Sequence, residues 1–122
     1  MATQARGSLD FETLRRAIEE RDAETLIGFY ADDAEVHTVN KNATPSSPQV
    51  LRGEDEISGY LRDVCSREMT HHVENEVVGD ERTTFFEACE YPDGRCVLGA
   101  AETLELRDGK IVLQVNVEAW DE

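Results

Sequence analysis

The chain is 122 residues long, enough for one hydrophobic core and too short for two. With 39% hydrophobic and 32% charged residues it reads as globular, and no run approaches the roughly 20 apolar residues of a membrane span. Acidic residues number 27 against 12 basic ones, and the formal net charge of −15 repels phosphate backbones and anionic lipid, so neither nucleic acid nor membrane is an expected partner.

Met1 to Ser8 is polar, so a disordered tail over residues 1–9, no secretory signal and a cytoplasmic location are expected, with one domain over residues 10–122. Asp10 can cap a helix from Phe11, in which Phe11, Leu14 and Ile18 recur at helical spacing. Asp22 can cap a second, short helix through Leu26, Ile27, Phe29 and Tyr30, which Asp32-Asp33 breaks. Ala34 to Val39 alternates and is rich in β-formers, so it reads as a strand. Asn40 to Gln49 holds Pro45 and Pro48 and reads as a loop. From Gly53 to Arg67, Ile57, Tyr60, Leu61 and Val64 mark one face of a third helix.

The remainder reads as strands. Thr70 to Val78 leads to a turn at Gly79-Asp80, then Thr83 to Tyr91, the turn Pro92-Asp93-Gly94, Arg95 to Leu106, the turn Arg107-Asp108-Gly109, and Lys110 to Trp120. Tight turns between consecutive strands make an antiparallel meander, and helices before strands make the class α+β. Cys65, Cys89 and Cys96 form no CxxC pair and no metal spacing. A two-residue turn at Pro92-Asp93 sets Cys89 opposite Cys96, whereas a bulge at Gly94 shifts them apart; free thiols are expected.

Several words of this chain resemble the nuclear transport factor 2-like superfamily, in its SnoaL-like and ketosteroid isomerase-like branch. They are Phe29 to Val36 (helix into first strand), Arg52-Gly53 with Ile57 and Tyr60-Leu61 (entry to the third helix) and Asp108-Gly109-Lys110-Ile111 (turn into the last strand). The resemblance runs from Asp10 to Trp120. It implies a cone-like curved antiparallel sheet with three N-terminal helices enclosing a pocket, a small-molecule ligand, no cofactor and a homodimer. Isomerases, cyclases, dehydratases and non-catalytic binders share this fold, so fold does not name function.

Carried onto this sequence, the base position of a ketosteroid isomerase falls on Thr38, which cannot take a carbon-bound proton, and its tyrosine position falls on Leu14. Only the acid position is kept in kind, as Glu102. True steroid isomerisation is therefore not expected. Thr70-His71-His72-Val73-Glu74-Asn75 resembles the histidine-strand word of SnoaL-like members and dehydratases, and period two puts His71, Val73 and Asn75 on one face.

His71 and Glu102 are thus the candidate proton-transfer groups, for a cofactor-independent isomerase, cyclase or dehydratase. The resemblance adds Thr38, Tyr60, Asn75, Glu87, Leu104, Gln114, Asn116, Glu118 and Trp120 as ligand-binding candidates. Alternation in the last strand shows two faces without saying which is inward. Carboxylates sharing an apolar hollow cannot all ionise, so at least one pKa would rise; the alternative is pairing with Arg82, Arg95 or Arg107. No metal site is expected, because adjacent His71 and His72 point to opposite faces. The alternative to an enzyme is a binding module, for instance for an amine, or a dimerisation domain.

Overall fold

The structure, a computed structural model, describes residues 9–121. Of the tail expected over residues 1–9, residues 1–8 lie outside the described residues, while Leu9 is buried in the core. Two helices open the fold, α1 (Phe11–Glu19) and α2 (Ala23–Ile27), and both start on the same device. Asp10 accepts from the Thr13 amide at 3.2 Å and its hydroxyl at 2.7 Å; Asp22 does the same with Thr25. The buried stripe of α1 is Phe11, Leu14, Ala17 and Ile18.

Strand β1 (Tyr30–Val39) begins earlier than the sequence suggests, because α2 stops at Ile27 and Gly28 turns the chain. Tyr30 is therefore a strand residue and not the end of a helix. The expected loop runs into a short strand that the sequence reading does not include, β2 (Gln49–Arg52), paired antiparallel to β1. Helix α3 (Gly53–Ser66) starts on Gly53 with φ of +83°, and Glu56 reaches back to accept from the Arg52 amide at 2.7 Å. The meander follows as β3 (Thr70–Val78), β4 (Arg82–Glu90), β5 (Cys96–Arg107) and β6 (Lys110–Trp120). Asp108 and Gly109, at φ of 54° and 77°, make the tight turn between β5 and β6.

The six strands form one sheet in the order β2-β1-β6-β5-β4-β3. One expectation needs correcting: the sheet is mixed, because β1 pairs parallel with β6. That pairing joins the first long strand to the last, a non-local contact that hydrophobic alternation cannot announce. Register shifts interrupt the pairings of β1 with β6, β3 with β4, β4 with β5 and β5 with β6. Each extra residue bends its strand, and together they curl the sheet into a cone with the helices across its concave side. Leu14, Val36, Ile57, Phe85, Leu104 and Ile111 pack inside it, and the Phe11 ring meets Phe85 edge-on at 5.9 Å.

Candidate functional site

Packing does not fill the cone. It leaves a cavity of about 650 Å³, with walls of Leu14, Leu26, Leu61, Met69, Phe85 and Leu104 and a set of polar side chains from alternate strand positions. Period two explains which ones. Glu87 and Cys89 share a face of β4, Glu102 and Leu104 a face of β5, and Gln114, Asn116, Glu118 and Trp120 a face of β6. Thr38 of β1, Tyr60 of α3 and His71 of β3 join them.

Of the sequence-derived candidates only Asn75 stands apart. It is exposed, off the cavity, and has φ of +58° at the point where the β3–β4 register shifts. That irregularity breaks the period-two count that placed it with His71 and Val73. His72 points outward as expected, close to Glu19 and Glu74.

His71 Nδ1 lies 2.7 Å from Glu87 Oε2, and Cys89 Sγ lies 3.2 Å from the same nitrogen and 3.5 Å from the same oxygen. An ionised carboxylate only accepts, so the ring N–H and the thiol both donate to Glu87. The other ring nitrogen, Nε2, is buried and has no hydrogen-bond partner among the described residues. Burial alone would push the Glu87 carboxyl up. The hydrogen bonds from His71 and Glu102, and the histidine's charge, outweigh it and hold Glu87 below the usual carboxylate range. Glu102 goes the other way, well above its ordinary value, first through burial, then through the charge of Glu87 and the hydrogen bond to it, then through Glu118. Two carboxyls in one hollow thus have their proton affinities pushed apart, Glu102 upward and Glu87 downward.

The strand arginines do not neutralise this pair. Arg82 meets Glu105, Arg95 meets Asp93 and Arg107 meets Asp33. Along the next wall the Tyr30 hydroxyl donates to Gln114 Oε1, Gln114 Nε2 to Asn116 Oδ1 at 2.9 Å, and Asn116 Nδ2 to Thr38 Oγ1 at 3.3 Å. Glu118 Oε1 accepts from Asn40 Nδ2 at 3.1 Å and Trp120 Nε1 at 3.2 Å. Burial, then the charge of Glu102, raises the Tyr30 phenol; burial, then the charge of Glu87, raises the Cys89 thiol. Both stay protonated, so Cys89 is not a thiolate nucleophile.

Tyr30 and Cys89 were absent from the sequence-derived set. Cys89 was within reach of it, two residues from Glu87 on one strand face. The helical spacing through Phe29 and Tyr30 hides Tyr30, which the fold makes a strand residue. All three cysteines are free, and the pairs Cys89↔Val97 and Glu90↔Cys96 show the one-residue offset that keeps two of them apart. Among the described residues, His71, Glu87 and Cys89 are the one group of nitrogen, oxygen and sulfur donors within 4.8 Å of each other that a metal ion could use. Here those donors hydrogen-bond to one another.

A family model described as a SnoaL-like domain matches residues 11–114. No curated protein matches the sequence. Solved structures share the fold at low identity. An NTF2-like protein of unknown function from Mesorhizobium loti is 15% identical, covering 88% of this chain and 86% of that one, with a TM-score of 0.76. A Mycobacterium tuberculosis protein in complex with estradiol-17beta-hemisuccinate is 16% identical, with 87% and 88% covered and a TM-score of 0.67. A Delta 5-3-ketosteroid isomerase from Mycobacterium sp. is 15% identical, with 87% of each chain covered and a TM-score of 0.62.

Proposed function

The chain belongs to the SnoaL-like domain family, and on that footing we propose that its cone binds a small, mostly apolar molecule and moves a proton on it without a cofactor. Isomerisation, cyclisation and elimination of water are the reaction classes this serves. The observation that carries the reading is the pair Glu87 and Glu102: two carboxyls in one largely apolar hollow, with His71 and Cys89 donating to Glu87. Environments that push two acids apart assign their roles. Glu87, ionised, is the base. Glu102, protonated, donates to the oxygen on which charge develops. Glu87 then gives the proton it took back to a carbon of the ligand, Glu102 keeps its own, and both acids end as they began, with no net oxidation.

His71 has a different part from the one its sequence position suggested. Its Nδ1 is spent on Glu87 and its Nε2 is sealed, so it orients the base and is a positioning residue. Two structural neighbours support the choice of ligand, one holding a steroid ester and one named as a ketosteroid isomerase. With Thr38 on the first strand where that isomerase's base would fall, the proton donor-acceptor pair here is built from β4 and β5 instead.

The test is hydrogen exchange. Apolar ketones are incubated with the protein in D2O, and NMR follows deuterium entry next to the carbonyl. Exchange is expected with the native chain and should fall by at least about 10²-fold in Glu87→Gln while binding persists. Binding without exchange for every ketone would leave the non-catalytic module as the function.

The reading includes a homodimer. Phe86, Leu98 and Val117 are exposed on the side of the sheet opposite the cavity, each beside a residue that lines it. A second copy offering the same apolar patch covers them.

A further inference from the structure

Glu118 is a cavity carboxylate that the proton-transfer pair does not use. Its two hydrogen bonds come from neutral donors, Asn40 and Trp120, and both fall on Oε1. Among the described residues no arginine, lysine or histidine forms an ion pair with it. The two arginines that line the cavity are committed elsewhere: Arg67 to Asp63 and the Tyr91 hydroxyl, and Arg95 to Asp93 and the Tyr91 ring. The register row Glu87↔Gly99↔Glu118 places a glycine of β5 between the two carboxylates. They stand two strand spacings apart, about 10 Å, and both line the cavity.

Around Glu118 the walls are aromatic. Trp120 bonds it directly, and its charge is the first influence after burial on the Tyr60 phenol, which it helps to raise. The Trp120 ring already draws an ammonium group, since Lys41 Nζ sits 5.5 Å from its centroid. A carboxylate edged by π-faces is the environment that receives organic cations. The field of a chain of net charge −15 brings such cations in.

We propose that the molecule held in the cavity carries a protonated amine, received by Glu118 with Trp120 and Tyr60. This rests on the reading of the cavity as a ligand site and names the chemistry of its occupant. The apolar body of the ligand then lies along Leu26, Phe85 and Leu104, toward Glu87 and Glu102. A ligand carboxylate in the same place would face Glu118, Glu87 and Glu102 together.

Calorimetric titration of the full chain with 2-phenylethylamine, 2-phenylethanol and 3-phenylpropanoate tests this, with the neutral dye Nile red as an independent probe of the cavity. The amine is expected to bind at least about tenfold tighter than the alcohol, and the carboxylate weakest. Glu118→Gln should bring the amine down to the alcohol's affinity while dye binding stays the same. Equal affinities, or a preference that survives Glu118→Gln, overturn the inference and leave the cavity reading standing. If neither the dye nor any of the three binds, the cavity reading falls as well. Lys41→Met keeps the test decisive should Glu118→Gln not fold: freeing the Trp120 face raises amine affinity, and unchanged or lower affinity counts against the proposal.

Discussion

His71 and Glu87 meet diagonally across β3 and β4. The registered partner of His71 is Cys89, and Glu87 lies two residues earlier on the same face, its Oε2 2.7 Å from the ring. The side chains are 4% and 15% exposed, so the contact works where water screens it little. Removing one partner of such a pair strands the other. His71→Phe is expected to cost about 2–4 kcal/mol at pH 7, since the carboxylate loses its main donor. Adding Glu87→Gln should recover part of that loss, because a neutral amide needs no counter-charge. Denaturant melts of the two single variants and the double variant give the coupling directly. Purely additive losses would show that the contact contributes nothing.

The pair also sets two opposed dependences on pH. Glu87 is held below its ordinary value, so its contribution is present above the unfolded pKa and lost as pH falls through the folded one. Glu102 is held above it. Below the unfolded value both states carry the proton and nothing is lost. As pH rises past about 4.5 the unfolded chain ionises while the folded one does not, and stability falls until the folded pKa is passed. Glu102→Gln removes that cost. Its melting temperature should exceed the native one at pH 7 by a few degrees, on the order of 3–5 °C for about 1 kcal/mol, and match it at pH 4. A variant less stable at both pH values would mean that Glu102 is ionised in the fold.

How far these residues could be read beforehand depended on how local their causes are. The last strand, Lys110 to Trp120, has the expected limits because its alternation is unbroken and Asp108-Gly109 supplies the turn. The caps Asp10 and Asp22 act within three residues, so sequence shows them too. What escaped is non-local or irregular. The parallel pairing of β1 with β6 depends on residues some eighty positions apart, and β2 has four residues behind a proline. Which face of β6 looks inward is set by helices that cover the concave side, and Gln114, Asn116 and Glu118 reveal it only once those are in place. The chain from Tyr30 to Thr38 shows how a site gathers members from strands that neighbour each other only in the folded sheet.

The convex face carries the prediction about assembly. Phe86, Leu98 and Val117 are 37%, 38% and 44% exposed, and Leu98 pairs with Ala88 on one side and Ala119 on the other, so the patch runs across three strands. Sedimentation should give a dimer mass, and Leu98→Glu with Val117→Glu a folded monomer, since two added carboxylates per copy would meet across the twofold axis in a chain already at −15. A native chain that sediments as a monomer at high concentration removes the proposed interface.

Asn75 separates a backbone role from a ligand role. The sequence word His71-His72-Val73-Glu74-Asn75 suggests a pocket residue, whereas the fold exposes its side chain and holds its backbone at φ of +58°. Asparagine enters this left-handed region at some cost, and glycine with none. Asn75→Gly should therefore leave stability unchanged or raise it by up to about 1 kcal/mol, while Asn75→Val, β-branched in the same conformation, should lose about 1–2 kcal/mol. Neither change should alter Nile red or amine affinity in the folded protein, since the side chain is off the cavity wall. If Asn75→Gly keeps its stability but loses ligand affinity, then Asn75 turns inward in the bound state and the β3 irregularity belongs to the site.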